Sequence, residues 1–242
     1  MSPIPPVRPM PVLQIRKKPI RSFAVRIGRL TAGQEKALQL GWSSVGLDLD
    51  GGIPTFDSAF ERKAPRVLEI GYGMGHSLLA MAEAEQDKDF VGIEVHSPGV
   101  GSLVQGVFDT ETGEIKLPNV KTYMADAVDV LNEAIPPDSL ARIQIYFPDP
   151  WHKNKHRKRR LIQPELVKLL SSRLQVGGLL HLATDWEPYA KHMLEVLSME
   201  SSLENTAADF VDRPDWRPLT KFEKRGEGLG HKVQDLVFKR QS

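Results

Sequence analysis

From residue 66 to about residue 198 the chain repeats one pattern: a short β-rich run, a break at glycine or an acidic residue, then apolar residues at helical spacing. Residues 66–70, 90–94, 121–124, 142–147 and 179–184 read as strands. Between the first two, residues 77–85 carry Leu78, Met81 and Ala82 on one helical face. After 147, Pro164 opens a helix with Leu166, Leu169, Leu170 and Leu174 on one side, and Gly177 and Gly178 are expected to stop it. Asp185 is then expected to cap a helix bearing Tyr189, Met193, Val196 and Leu197. Such alternation leaves a parallel sheet covered by helices on both faces, a doubly wound α/β fold of Rossmann-like type. Residues 219–222 and 232–239 read as two further strands joined through Gly226, Gly228 and Gly230, an antiparallel C-terminal hairpin that brings the sheet to seven strands.

Upstream of this core, six of the 18 prolines fall within residues 1–19, which excludes regular helix or central strand there. Residues 1–20 are expected to be a flexible, basic, proline-rich extension, and 21–242 a single domain. A helix near 31–40 has Thr31 as its cap and Gly41 as its stop.

The segment Glu69-Ile70-Gly71-Tyr72-Gly73-Met74-Gly75 ends the first strand and begins a helix. Its three glycines let the backbone turn sharply and approach a ligand. A dinucleotide fingerprint would require a glycine at 76, where His76 stands instead. The carboxylate of Glu69 beside the loop favours a ligand with positive charge over a pyrophosphate. S-adenosylmethionine, with an ammonium and a sulfonium, fits that requirement. Glu94 ends the next strand, 21 positions beyond Gly73, where a doubly wound fold places the acid that accepts ribose hydroxyls. Asp126 follows the third strand, near the expected adenine position. Each of these features alone is also compatible with a plain turn or a solvated strand end; their recurrence in successive βα units is what points to a binding site.

Strand four ends in Tyr146-Phe147-Pro148-Asp149-Pro150-Trp151, followed at once by HKNKHRKRR (152–160) with six basic residues and no acid. Ligands of open α/β sheets sit beyond the carboxyl ends of the strands. The two prolines restrict the direction of Asp149, Trp151 offers a face for a base, and Lys153, Lys155, Arg157, Lys158, Arg159 and Arg160 offer contacts to phosphates. His152 and His156 have the spacing of a metal pair, but no third ligand is evident, so no metal is expected. The net charge of +1 conceals this segregation. Residues 1–34 hold seven basic side chains and no acid. With 152–160 also set aside, 19 basic residues face 31 acidic ones, an acidic body with two concentrated basic segments.

Composition narrows the chemistry. The absence of cysteine removes disulfides, thiolate zinc sites and cysteine nucleophiles. No run approaches the roughly 18 apolar residues of a membrane span, and residues 1–10 lack the apolar core of a signal peptide. A cytoplasmic protein without membrane association is expected.

Taken together, RSFAVRIGRLTAGQ (21–34), LEIGYGMG (68–75), GIEVHSPGVG (92–101), FPDPWHKNKHRKRR (147–160), LATDWEPYA (182–190) and TKFEKRG (220–226) closely resemble the bacterial tRNA (guanine-N7-)-methyltransferase family. The resemblance implies a class I methyltransferase fold and methylation by S-adenosyl-L-methionine of the guanosine at position 46, in the variable loop of tRNA. It implies donor-site roles for Glu69, Glu94, Asp126 and Asp149, with Asp149 the catalytic one. It further implies substrate contacts from Lys153, Asp185, Thr220, Lys221, Phe222 and Glu223. Lys155, His156, Arg157, Lys158, Arg159 and Arg160 would contact the RNA. The expected partner is tRNA, the expected product S-adenosyl-L-homocysteine, and the expected state a monomer. A Gly/Asp-rich stretch near 46–58 and the residues at 109–119 depart from the family pattern.

Three other readings are weaker. Methyltransferases of exocyclic amines typically show Asn/Asp-Pro-Pro-aromatic, whereas here aspartate stands between the prolines. A nicotinamide-dependent oxidoreductase is disfavoured by His76. An RNA-binding protein without catalysis would have no need of Glu69, Glu94 and Asp126.

Overall fold

The computed structural model describes residues 28–49, 56, 58–219, 223 and 232–242. They fall into two compact units: the first holds Gly71–Ala134 with the described residues up to Pro65, the second Arg66–Ile70 and Ile135–Ser242.

The first unit opens with helix α1 (Ala32–Val45). Its start is a reciprocal cap: the Gln34 N–H donates to Thr31 Oγ1 at 3.3 Å, and the Thr31 N–H donates to Gln34 Oε1 at 2.9 Å. Gly41 does not stop the helix. A side chain there would lie 2.8 Å from Phe108 and 2.9 Å from Val104, so this glycine serves close packing of α1 on α3 (Ser97–Val107). The helix runs on into a two-residue strand, β1 (Gly46–Leu47), which pairs in parallel with β4 (Val120–Tyr123). β4 pairs in parallel with β3 (Asp89–Ile93), buried along its whole length. Helix α2 (His76–Ala84) precedes β3, and α4 (Ala127–Glu133) follows β4.

In the second unit, β2 (Arg66–Ile70) runs parallel to β5 (Leu140–Tyr146), with Glu69 opposite Gln144. β5 runs parallel to β6 (Leu174–Thr184). β8 (Gln234–Arg240) lies antiparallel between β6 and β7 (Leu203–Asn205). Helix α5 (Pro164–Arg173) ends before Gly177 and Gly178, which lie inside β6; Gly177 takes φ +82° there. The two glycines therefore kink a strand and do not end the helix. Leu174, expected on the helix, is the first residue of that strand. In α6 (Glu187–Ser198), the stripe Tyr189, Met193, Val196 and Leu197 is buried as its spacing predicts, each side chain contributing about 1.5–3 kcal/mol. Asp185 does not cap this helix. The cap position is Trp186, whose N–H donates to Thr184 Oγ1 at 3.3 Å, and Asp185 is exposed one residue further out.

The strand order is β1-β4-β3 in the first unit, all parallel, and β2-β5-β6-β8-β7 in the second, parallel up to its antiparallel C-terminal strands. Among the described residues there are eight strands where seven were expected. The short β1 adds one, because the residues leaving α1 find a free edge on β4. The partners of β8 are β6 and β7. In the expected strand 219–222, Leu219 is not in a strand, and 220–222 lie outside the described residues, as do Gly226, Gly228 and Gly230 and the extension 1–20. No helix among the described residues is long and apolar enough to cross a membrane.

Candidate active site

In the first unit the glycine loop is built on left-handed backbone: Gly71, Gly73 and Gly75 have φ of 75°, 60° and 79°. Only glycine adopts these angles without a steric penalty. A Cβ added at Gly71 or Gly73 would meet nothing within 4 Å, so the loop presents bare backbone to open space. Glu94 fastens it. Its Oε2 accepts the Gly73 N–H at 2.8 Å, and its Oε1 accepts the N–H groups of Val95 and His96 at 2.7 and 3.0 Å. Asp126, three residues beyond the end of β4, accepts the Val128 N–H at 2.8 Å and caps α4. The unit thus brings Gly71, Gly73, Gly75 and Glu94 into one structure, with Asp126 at the same edge of the parallel pair β3 and β4.

The second unit carries the Asp149 turn, leaving β5 at the edge where β2 also ends. Phe147 and Trp151 have φ of 51° and 45°, two of the three non-glycine residues with positive φ among those described. Left-handed backbone at an aromatic residue costs about 1–3 kcal/mol and persists only where the surroundings enforce it. Here the enforcing contacts are visible. The Phe147 N–H donates to the Ala183 carbonyl at 2.8 Å, and Arg160 Nε donates to the Pro150 carbonyl at 3.0 Å. Asp149 itself is exposed between these fixed points.

Lys153 is the cap of a short 3₁₀ helix (Asn154–Arg159) that displays Lys155, Arg157, Lys158 and Arg159 to solvent. Arg160 is different: it is buried, with its guanidinium 4.7 Å from the Tyr189 ring centroid. Its charge is not displayed with the others; it ties the loop down. His156 is half-buried, and partial burial together with Arg159, Lys155, Lys153 and Lys158 lowers its pKa, so it is neutral at pH 7. Trp151 is not a bare stacking face: Arg159 lies over its ring at 5.2 Å and the His156 ring is 5.9 Å away.

Beneath the turn lies a chain of buried polar groups that sequence reasoning missed. Gln144 Nε2 donates to Glu69 Oε2 at 3.0 Å, while Gln144 Oε1 accepts from Arg142 Nε and the Tyr146 hydroxyl at 3.1 and 3.2 Å. His181 Nδ1 accepts the indole N–H of Trp216 at 3.1 Å, so the proton is on Nε2, which donates to Asp235 Oδ1 at 2.7 Å. Arg217 grips Asp235 through Nε and Nη2 at 2.7 and 2.8 Å, and Nη2 also pairs with Glu223 at 2.7 Å. Its guanidinium lies 5.8 Å from the ring centroids of both Tyr146 and Phe147. Burial, with Arg217 and Arg142 nearby, lowers the His181 pKa. The pairing to His181 and Arg217 lowers that of Asp235 against the opposing effect of its burial. The available signal was the alternation Arg142, Gln144, Tyr146 along a strand otherwise made of Leu140, Ala141, Ile143 and Ile145.

Of the expected site residues, Glu69 is buried in this network and Glu223 is buried against Arg217. Lys153, Asp149 and Asp185 are exposed in the same unit, and Thr220, Lys221 and Phe222 lie outside the described residues.

Residues 63–236 match the family model described as "Putative methyltransferase". A protein of Alcanivorax borkumensis named tRNA (guanine-N(7)-)-methyltransferase is 55% identical over 92% of this chain and 92% of its own length. Proteins of the same name from Pseudomonas aeruginosa PAO1 and Saccharophagus degradans are 52% and 51% identical, covering 91% and 94% of this chain and 89% and 98% of their own. Among solved structures, the 16S rRNA methyltransferase KamB superposes with a TM-score of 0.57 at 13% identity, over 77% of this chain and 93% of that one. An antibiotic-related methyltransferase gives 0.51 at 16% identity, over 76% and 89%. At such identities the structural likeness concerns the fold.

Proposed function

The chain belongs to the bacterial tRNA (guanine-N7)-methyltransferase family, and from that membership we propose that it transfers a methyl group from S-adenosyl-L-methionine to N7 of the guanosine at position 46 of tRNA. The observation that carries the reading is 55% identity, over 92% of the chain, to a relative of that name, joined to an aspartate turn with strained backbone on either side that runs directly into displayed cations.

The first unit fits the donor. Bare, left-handed backbone at Gly71 and Gly73 leaves room for its amino-acid end. Glu94 Oε1 already accepts two N–H groups, whereas Oε2 accepts one, so one lone pair remains there for a ribose hydroxyl. Asp126 is assigned to the adenine side. When bound, the donor supplies an electrophilic methyl on a positively charged sulfur.

Guanine N7 carries a lone pair at neutral pH, so attack requires no prior deprotonation. The task is alignment, which in favourable cases supplies about 7–11 kcal/mol. In this proposal Asp149 accepts the N1 and N2 hydrogens of the guanine, orients the ring and stabilises the positive charge that develops on it. A general-base role is not needed. The base is extruded from its stack to reach the turn. Lys153, Asp185 and the 220–223 segment contact the substrate, and Lys155, Arg157, Lys158 and Arg159 hold phosphates, which orient the RNA without reading its sequence.

The test is transfer of labelled methyl to unmodified tRNA carrying guanosine or adenosine at position 46. Transfer to the first and none to the second supports the reading; equal labelling of both overturns the assignment of position.

A further inference from the structure

The cationic surface of the second unit extends beyond its own loop. Arg157, Lys158 and Arg160 line one side of a cavity of about 400 Å³, and Lys191, His192 and Glu195 of α6 line the other. Two of these groups are held rigidly. His192 Nε2 donates to the Ile162 carbonyl at 3.0 Å, which fixes its ring. Arg160 is pinned through Nε and through its stacking on Tyr189, yet its Nη2 is buried and meets no acceptor among the described residues. A buried guanidinium donor left unmatched is costly unless an oxygen reaches it. Four positive charges, Arg157, Lys158, Arg160 and Lys191, line the cavity with one carboxylate, Glu195. Lys191 has a partner outside it, Glu187 at 2.7 Å, but both side chains are mostly exposed and such a pair exchanges readily.

We infer that this cavity is a phosphate-binding subsite for the tRNA backbone, with Arg160 and Lys191 as its principal donors. The inference rests on the proposed RNA substrate. It adds α6, to which no sequence motif assigned a binding role, and places the RNA contact that the resemblance implied for Arg160 in the cavity it shares with that helix. An oxyanion suits the planar, multi-donor guanidinium better than any neutral group does. Contacts of this kind fix the register of the RNA and leave the chemistry alone.

Lys191 and Glu195 are exposed, so their variants are expected to fold. Binding of unmodified tRNA to the full chain is measured by fluorescence anisotropy over a series of potassium chloride concentrations. Lys191→Gln is expected to weaken binding about three- to tenfold and to reduce the salt slope by about 0.7–0.9. Glu195→Gln is expected to tighten binding about two- to threefold. S-adenosylhomocysteine affinity is expected to stay unchanged in both. The control is Lys168→Gln, the same charge change at an exposed position of α5 outside the cavity, expected to alter binding less than about twofold. If Lys191→Gln matches that control, or Glu195→Gln weakens binding, the subsite is overturned while methylation by the wild type stands. A wild type that neither binds nor methylates tRNA overturns the proposed function itself.

Discussion

Phe147 and Trp151 hold left-handed backbone on either side of Pro148-Asp149-Pro150, and each end is tied by a hydrogen bond to a neighbouring element. This strain is what an aspartate with one required direction needs, and it was half legible: the prolines announced a constrained turn, but positive φ at two aromatic residues has no sequence signature. Asp149→Asn keeps the shape and removes the charge. It is expected to lower the methyl-transfer rate about 10²-fold while S-adenosylhomocysteine affinity changes little; full turnover on purified tRNA would exclude the assigned role. His181, which no sequence motif singles out, is the joint between Trp216 and Asp235. Protonation of Nδ1 would set two N–H groups against each other, and burial further disfavours the cation, so the folded-state pKa lies below the unfolded value. The unfolded chain therefore takes up this proton first, and stability is expected to fall as the pH drops below about 6.5. A urea series at stepwise lower pH should show a shallower loss in His181→Gln. An identical slope in both proteins would remove this residue from the acid sensitivity.

Strands and helices were largely readable because their periodicities are local, and their ends were less so because they are tertiary. Gly41 lies mid-helix because Phe108 and Val104 leave no room for a side chain, and Gly177 bends a strand. Neither contact is written near the glycine itself. The same holds for Gly99 of α3, where an added Cβ would lie 2.1 Å from the Gly73 carbonyl oxygen. Helix and glycine loop are thus in direct backbone contact, and Glu94 closes the arrangement from the strand side. Gly99→Ala must displace one of them. The expected outcome is at least a tenfold loss of S-adenosylhomocysteine affinity by calorimetry, with tRNA binding nearly unchanged; retained donor affinity would show that the loop does not bind the donor. Buried polar strands escape sequence reading for a related reason. Arg142, Gln144 and Tyr146 alternate as a solvated face would, and groups remote in sequence, Glu69, His181, Trp216, Arg217 and Asp235 among them, make them an interior. Arg217→Met would leave Asp235 and Glu223 buried without their cation, with an expected cost of about 3–5 kcal/mol in chemical denaturation.

Over the whole chain, an acidic body carries its positive charge in concentrated stretches, and the described one, 152–160, is fastened to the Asp149 turn by Arg160. The substrate was legible in this segregation only as a polyanion; the glycine loop, Glu94 and Asp126 indicated the donor; the identity of the base came from resemblance, since the fold is shared by enzymes of many substrates. Gly71, Gly73, Gly75, Glu94 and Asp126, proposed for the donor, lie in the first unit, and the displayed cations of 155–159, proposed for the RNA, lie in the second with Glu69 and Asp149. Replacing Arg157, Lys158 and Arg159 together by alanine is accordingly expected to lower tRNA affinity and flatten its salt dependence by about 2–3 in slope, without change in donor affinity. Parallel loss of both affinities would contradict that division. The most direct measurement is the position of the methyl group in the product. After reaction of the wild-type protein with unmodified tRNA, nuclease digestion and mass spectrometry are expected to recover 7-methylguanosine from the variable loop, whereas a methyl on an exocyclic amine, or none, would contradict the account.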